Sequence, residues 1–255
     1  MNGRTSSRRD AIKAIASAVS GALLIGCRSE EVLLPYRAER LVSRPTQPRV
    51  SGPVGRTMVE IGGSRVVMYV PATVNAARPT ALLVVLHGAF RDVDPFVDGH
   101  IPGADRHGVI IAAPYATFGT WDAIDGVFGE DIDLLDAMLA WIFERWTIDP
   151  ARTVLSGFSD GGTYSLGVGR ANGDVFSRVV AYAPGFLLDI TEVGRPQILI
   201  THGTRDGVIP YENTSRFIVP WLRQLGYPVD YREWDGPHAV PLAVVNEVLA
   251  SISNA

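Results

Sequence analysis

The chain has 255 residues, of which 47% are hydrophobic and 20% are charged, and its formal net charge is −4. This composition is ordinary for a soluble globular protein, and the acidic balance argues against a nucleic-acid-binding surface. The only lysine is Lys13 and the only cysteine is Cys27, so the body of the chain has no phosphate-loop lysine, pyridoxal lysine, disulfide or cysteine zinc site. None of the five histidines has HExxH spacing, and we predict neither a metal nor a cofactor.

Residues 1–26 are predicted to be an export signal. The Arg8-Arg9 pair resembles the twin-arginine pattern of bacterial export, although Ala11 replaces the usual bulky aromatic residue. The apolar stretch that follows has about a dozen residues, which is too short for a bilayer span of about 20 helical residues. Residues 24–27, Leu-Ile-Gly-Cys, resemble a lipobox, and this resemblance implies cleavage before Cys27 and its lipidation.

We therefore expect export from the bacterial cytoplasm, with lipid anchoring to the cell envelope as the only membrane contact. The alternative is an ordinary secretory signal with a chance cysteine, which predicts a periplasmic or secreted protein. Residues 27–55 are rich in Ser, Pro, Gly and charge, and they are predicted to be the lipidated cysteine and a flexible tether. An extension packed on the body is the alternative, and residues 56–255 are predicted to form one catalytic domain.

The body alternates between predicted strands and helices. Two strands around Gly62-Gly63 predict a hairpin, and continuous apolar runs predict the strands 81–86, 109–113, 153–155, 178–182, 197–201 and 229–234. Apolar spacing predicts helices over 135–146, 212–225 (kinked or split by Pro220) and 242–252. This alternation predicts an α/β fold with a mostly parallel sheet, helices on both faces, and functional groups at the carboxyl ends of the strands.

The pentapeptide at 157–161 has the form Gly-x-Ser-x-Gly and lies between a predicted strand and a run of small residues. This pattern is typical of a sharp turn that exposes Ser159 at the end of a sheet. A serine hydroxyl needs a base within hydrogen-bond reach, and we assign that role to His238, which follows the last predicted strand. Asp206 follows the preceding strand and is predicted to orient the imidazole.

Three other acids are near Asp206 in the chain, and each fits the orienting role less well. Asp189 precedes the strand that it should follow, and Asp230 falls within a strand. Asp235 is too close to His238 along the chain. The remaining histidines are predicted to hold loops (His87 and His202) or to lie on the surface or in the packing (His100 and His107).

The chain order Ser, Asp, His is that of the α/β-hydrolase fold. A turn at Leu86-His87-Gly88 could direct the backbone N–H of Ala89, together with that of Asp160, at a developing oxyanion. The chain resembles the serine esterases of the α/β-hydrolase fold, close to the phospholipase/carboxylesterase and polyhydroxybutyrate-depolymerase-like groups. The resemblance rests on the motifs around Ser159 and His87, on the Gly-Thr-Arg-Asp-Gly segment around Asp206 and on the Gly-Pro-His segment around His238. The resemblance implies hydrolysis of carboxylic esters through an acyl-enzyme, without a cofactor.

Three aromatic residues follow the predicted strand 109–113 and are candidates for a substrate pocket: Tyr115, Phe118 and Trp121. The alternative is that they cover the core. Only residues 183–196 separate two consecutive strands, which leaves no room for a large cap domain. We therefore expect an open site for small soluble esters or for an ester chain that protrudes from a polymer.

Two further classes of function remain open. The same three residues serve acyltransferases, thioesterases and peptidases, because the triad specifies acyl transfer and the pocket chooses the substrate. A non-catalytic surface-binding lipoprotein on a hydrolase fold is the alternative outside enzymes.

Overall fold

The computed structural model describes residues 39–90 and 93–253. The predicted export signal, the lipobox with Cys27 and the first part of the predicted tether lie outside these residues. Within the two described ranges, no helix is long and apolar enough to cross a bilayer.

The described strands form one sheet in the order β1-β2-β4-β3-β5-β6-β7-β8. The strands are β1 (Gly55–Ile61), β2 (Ser64–Val70), β3 (Thr80–Leu86), β4 (Ile110–Pro114), β5 (Ile148–Phe158), β6 (Arg178–Tyr182), β7 (Gln197–Gly203) and β8 (Val229–Trp234). Strand β2 runs antiparallel to β1 and β4, and all other neighbouring pairs are parallel. The predicted mostly parallel sheet is confirmed, and the carboxyl ends of β3 to β8 share one edge.

The described helices are α1 (Val93–His107), α2 (Glu130–Phe143), α3 (Asp160–Ala171), α4 (Ser215–Gln224) and α5 (Leu242–Ser251). Helix α1 was absent from the sequence prediction because Gly99, Pro102 and Gly103 interrupt its apolar pattern. Helix α2 ends before Trp146, which the predicted helix included. Helix α4 continues through Pro220, so the predicted split at this residue is wrong. This proline lies on the exposed side, where a carbonyl that loses its helical partner can bind water.

Alternate residues of β3 enter two different cores, as expected for a strand covered on both faces. Leu82, Val84 and Leu86 pack in a core with α2 and α3. Ala81, Leu83 and Val85 pack in a core with α1 and α5. Helices therefore cover both faces of the sheet, as predicted.

Residues 39–50 pack on the body, which corrects the predicted tether in this part of the chain. Leu41 is 1% exposed, and its backbone N–H donates to Oδ1 of buried Asn172 at 2.8 Å. Asp136 Oδ1 accepts from the backbone N–H groups of the next two residues, at 2.7 and 2.8 Å. The buried Leu41, these side-chain acceptors and the ion pairs of Arg40 and Arg44 with Asp174 help to hold a segment whose polar composition suggested a linker.

The connection between β6 and β7 contains no helix in residues 183–196. This agrees with the predicted absence of a large cap domain. The connection therefore places no helix over the carboxyl edge of the sheet.

Candidate active site

Ser159 lies in the turn between β5 and α3 with φ 57° and ψ −118°. A non-glycine residue in this region carries about 1–3 kcal/mol of strain. Two backbone hydrogen bonds of 2.9 Å hold the turn, one from Ser159 N–H to the Tyr182 carbonyl and one from Thr163 N–H to the Ser159 carbonyl. The strained turn exposes the hydroxyl at the carboxyl end of β5, as the motif predicted.

The flanking glycines of the pentapeptide are required by close backbone contacts. A Cβ atom on Gly157 would overlap the carbonyl of Gly161, and a Cβ on Gly161 would overlap the carbonyl oxygens of Leu86 and His87. The turn after β3 and the start of α3 therefore approach each other at a distance that only glycine permits.

The structure brings together the three side chains predicted to form the triad. His238 Nε2 lies 3.0 Å from Ser159 Oγ, and His238 Nδ1 lies 2.6 Å from Asp206 Oδ2. The imidazole also packs against the ring of Phe158, with ring centroids 4.6 Å apart. This arrangement can pass a proton from the hydroxyl to an imidazole held by a carboxylate.

Asp206 is surrounded by hydrogen-bond donors on both carboxylate oxygens. Its Oδ1 accepts from the backbone N–H groups of Val208 at 2.9 Å and Ile209 at 2.8 Å. Its Oδ2 contacts His238 and, at 3.1 Å, Nε2 of His202. Burial raises the pKa of Asp206, but the bonds from Ile209, His238 and Val208 outweigh it and hold the pKa below its ordinary value.

His202 contacts Asp206 more closely than its predicted loop-holding role implied. Its Nε2 faces two acceptors, Asp206 Oδ2 and the Ile209 carbonyl at 2.8 Å, so this nitrogen carries the proton. Its Nδ1 therefore accepts from the Ser215 hydroxyl at 2.7 Å. Burial lowers the pKa of His202, consistent with a neutral ring that donates to the orienting carboxylate. A histidine four residues before the acid, at the end of a buried strand, was the available sequence signal.

The turn after β3 lies against the nucleophile. A Cβ on Gly88 would lie 3.2 Å from Cβ of Ser159. Ala89 is the next residue along the chain, so its backbone N–H is close to Ser159. The carboxylate of Asp160 accepts a hydrogen bond from the Thr120 hydroxyl at 2.6 Å. The roles of the Ala89 and Asp160 N–H groups as oxyanion donors stay a prediction.

His87 fixes this turn to the loop after β4. Its Nε2 accepts from the Ala116 N–H at 2.9 Å, so its Nδ1 carries the proton and donates to the Gly88 carbonyl at 2.7 Å. Its own carbonyl accepts from Trp121 Nε1 at 2.8 Å. His87 is thus a neutral structural residue, as predicted, and burial lowers its pKa.

The three aromatic residues predicted to line a pocket have different environments. Trp121 is fully buried and stacks on Tyr164, so it belongs to the core, and its predicted place in a pocket is wrong. Tyr115 is half-buried beneath the guanidinium of Arg65, and Phe118 is 69% exposed. Of the three side chains, Phe118 is the most exposed.

A cavity of about 240 Å³ adjoins His238 on the side of α1 and α5. It is lined by Pro95, Phe96, Gly99, His100, Phe158, His238, Ala239, Val240, Leu242 and Val245. This cavity could not be predicted from the sequence, because helix α1 was not predicted. A larger cavity of about 570 Å³ lies at the amino ends of β6 to β8, at the other end of these strands from Ser159. In the described ranges, no group of three or more His, Cys, Asp or Glu side chains could hold a metal ion.

Two fungal esterases are similar to this chain in sequence. The bifunctional acetylxylan esterase/xylanase XynS20E of Neocallimastix patriciarum is 28% identical over 176 residues, which are 65% of this chain and 25% of that protein. The probable feruloyl esterase C of Aspergillus oryzae is 27% identical over 162 residues, which are 60% of this chain and 58% of that protein. The chain thus spans about a quarter and somewhat over half of the lengths of these relatives. No protein-family model matches the chain.

Solved structures share the fold. The crystal structure of esterase PE8 superposes with a TM-score of 0.61 at 20% identity, covering 78% of this chain and 100% of that one. The LpqC poly(3-hydroxybutyrate) depolymerase of Bordetella parapertussis superposes with a TM-score of 0.56 at 18% identity, covering 79% of this chain and 90% of that one. The sheet order and these likenesses together show that the chain has the α/β-hydrolase fold and is related to esterases of that fold.

Proposed function

We propose that this protein is a serine hydrolase that cleaves carboxylic esters through an acyl-enzyme. The observation that carries the proposal is the position of the His238 imidazole, 3.0 Å from Ser159 Oγ and 2.6 Å from Asp206 Oδ2. Three side chains from distant parts of the chain meet in hydrogen-bonded order, on a fold shared with esterases. A merely structural serine would need neither the strained turn nor the imidazole.

In the proposed reaction, Ser159 Oγ attacks the ester carbonyl while His238 Nε2 takes the hydroxyl proton. The carbonyl oxygen gains negative charge, which the N–H groups of Ala89 and Asp160 would stabilise. His238 then returns the proton to the departing alcohol, and an acyl group remains on Ser159. Water, deprotonated by the same imidazole, releases the acid and restores the serine.

Asp206 has two roles in this proposal. It accepts the Nδ1 proton of His238, so the other nitrogen presents its lone pair to the hydroxyl. It also stabilises the imidazolium that forms during the reaction. Its lowered pKa keeps it ionised at neutral pH, and the four hydrogen bonds around it fix its orientation.

For the substrate, we propose acetyl or aryl acyl esters carried by a polysaccharide. The similarity to an acetylxylan esterase/xylanase and to a probable feruloyl esterase supports this class. The lack of a helical insertion between β6 and β7 suits a bulky alcohol part. Faster hydrolysis of long-chain triglyceride emulsions than of acetylated xylan and methyl ferulate would contradict the substrate class.

Hydrolysis of p-nitrophenyl acetate tests the proposed reaction. The wild type should show turnover, and Ser159→Ala should lose nearly all of it. Ser177→Ala is the matched control, because this hydroxyl donates to the Thr153 carbonyl at the opposite end of the sheet. Equal activity of Ser159→Ala and the wild type would refute the proposal.

We also propose that the protein is exported and anchored by a lipid on Cys27, as the resemblance to a lipobox implies. Expression with its own N-terminus in a bacterium fed an alkyne fatty acid tests this. The wild type should carry the label in the membrane fraction, and Cys27→Ser should be unlabelled. An unlabelled wild type in the soluble fraction would contradict the anchor.

A further inference from the structure

The cavity beside His238 has mainly apolar walls that contain one polar side chain besides His238. Phe96, Phe158, Val240, Leu242 and Val245 supply apolar surface, and His100 joins them from α1. The imidazole of His100 is 2% exposed, and its Nε2 atom has no hydrogen-bond partner within the described ranges. A buried nitrogen without a partner costs about 1–3 kcal/mol, so its presence in this wall requires an explanation.

The hydrogen bond of Nδ1 determines which nitrogen of His100 carries the proton. Nδ1 lies 2.7 Å from the Phe96 carbonyl, which can only accept, so Nδ1 carries the proton. Burial lowers the pKa of His100 and favours the neutral ring. Nε2 therefore presents a bare lone pair, which is a hydrogen-bond acceptor that lacks a donor.

The cavity is large enough for a substituted aromatic ring. Its volume of about 240 Å³ exceeds the roughly 150 Å³ that holds benzene in an engineered apolar cavity. The rings of Phe96 and Phe158 lie 5.8 Å apart on its wall and favour an aromatic occupant. Nε2 has almost no exposed surface, so a ring that enters must displace part of the cavity wall to reach it.

We propose that His100 is a specificity-determining residue that accepts a hydrogen bond from a hydroxyl group on an aryl part of the ester substrate. The ring fills the apolar cavity next to His238, and its hydroxyl supplies the donor that Nε2 lacks. This inference rests on the proposed ester hydrolysis. The hydroxyaryl group belongs either to the acid or to the alcohol part of the ester, and the two are separated by experiment.

The test compares matched esters. For the acid part, kcat/KM is measured with methyl 4-hydroxycinnamate, methyl 4-methoxycinnamate and methyl cinnamate; the methoxy ester has a similar electronic effect but no donor. For the alcohol part, 2-(4-hydroxyphenyl)ethyl acetate is compared with 2-phenylethyl acetate. We expect the hydroxy ester to be preferred about tenfold in one of the two series, which is the worth of one net hydrogen bond.

Variants assign the preference to His100. His100→Phe should abolish the preference for the hydroxy ester, and His100→Leu serves if the larger ring prevents folding. His107→Phe, on the same helix but outside the cavity, should retain it. No preference in either series with the wild type, or a preference that survives both His100 variants, overturns the proposal.

A binding measurement keeps this proposal separate from the proposed activity. If no ester is hydrolysed, the proposed function fails, but the cavity can still be titrated by NMR with p-cresol and 4-methylanisole. Binding of p-cresol about tenfold more tightly than 4-methylanisole supports the acceptor role. Equal affinities, or no binding of either compound, overturn it.

Discussion

His202 and Asp206 lie four residues apart after β7, and Nε2 of His202 is 3.1 Å from the carboxylate oxygen that also contacts His238. The orienting acid is therefore held by a second histidine behind it. Ser215 in turn fixes the orientation of that histidine by donating to its Nδ1 at 2.7 Å. The hydrogen bonds that support Asp206 thus extend into helix α4.

Replacing Asp206 by Asn should lower kcat strongly and should also cost some stability, because an amide nitrogen cannot accept the hydrogen bond from His202. The amide would leave His238 with the wrong nitrogen protonated, and the known magnitude for such a change in a serine protease is about 10⁴-fold. Steady-state kinetics with p-nitrophenyl acetate, together with urea unfolding, measure both effects. A kcat within tenfold of the wild type would contradict the assigned role.

His202→Phe should reduce kcat about tenfold and change KM little, because one charge-assisted hydrogen bond to Asp206 is lost. Ser215→Ala removes the hydroxyl behind the ring and should have a smaller effect in the same direction. Kinetics of the two variants give this order. If KM rises and kcat is unchanged, His202 acts on binding and does not position Asp206.

Gly161→Ala should lower both stability and activity, because the added Cβ overlaps the carbonyl oxygens of Leu86 and His87. Overpacking of this kind costs about 1–3 kcal/mol, and it would displace the turn that carries Ala89. Gly207→Ala is the matched control, because its Cβ meets nothing within 4 Å. Urea unfolding and kcat/KM measure the two effects, and equal behaviour of both variants would refute the close approach.

Leu41→Ala should lower the free energy of unfolding by about 3 kcal/mol, since a fully buried leucine leaves a cavity. Val42→Ala is the neighbouring control: Val42 is 78% exposed, and the change should stay within about 0.5 kcal/mol. Urea unfolding measures both. An unchanged stability of Leu41→Ala would restore the interpretation of this segment as a tether.

The protein should lose stability as the pH falls from 7.5 to 5.5. Burial lowers the pKa of His87, His100 and His202, whereas an unfolded histidine has a pKa of about 6.5. The unfolded chain therefore binds more protons below this pH, and the free energy of unfolding falls by up to about 1.4 kcal/mol per pH unit for each histidine. The contribution of these three histidines to the free energy of unfolding is fully present above about pH 6.5.

Urea unfolding at both pH values checks this dependence. His100→Phe should reduce the slope by removing one buried imidazole. A free energy of unfolding that is flat or rises on acidification over this range would show that these rings are not held neutral.

The sequence predicted the elements whose patterns are local. The apolar run of β3 indicated a strand buried on both faces, and the glycines around Ser159 indicated the strained turn. Helix α1 was missed because Pro102 and its neighbouring glycines are breakers in an isolated helix, whereas here the helix packs on α5. The cavity that contains His100 could not be predicted either, because helix α1 forms part of its wall.

Trp121 and Leu41 show why the remaining positions could not be predicted from local patterns. An aromatic residue after a strand fits a pocket or the core equally well, and only the contact of Trp121 with Tyr164 and the His87 carbonyl decides between them. Leu41 lies in a polar run and is buried by partners more than 90 residues away. Such tertiary contacts leave no periodicity in the sequence.

We propose that His238 activates Ser159 as a nucleophile. The direct test is reaction of the full chain with a fluorophosphonate, followed by mass spectrometry of its peptides. We predict one adduct, on Ser159, in the wild type, and none at this position in His238→Ala over the same time. An unmodified Ser159 in the folded wild type, or modification of Ser159 at the same rate without the imidazole, would contradict the account.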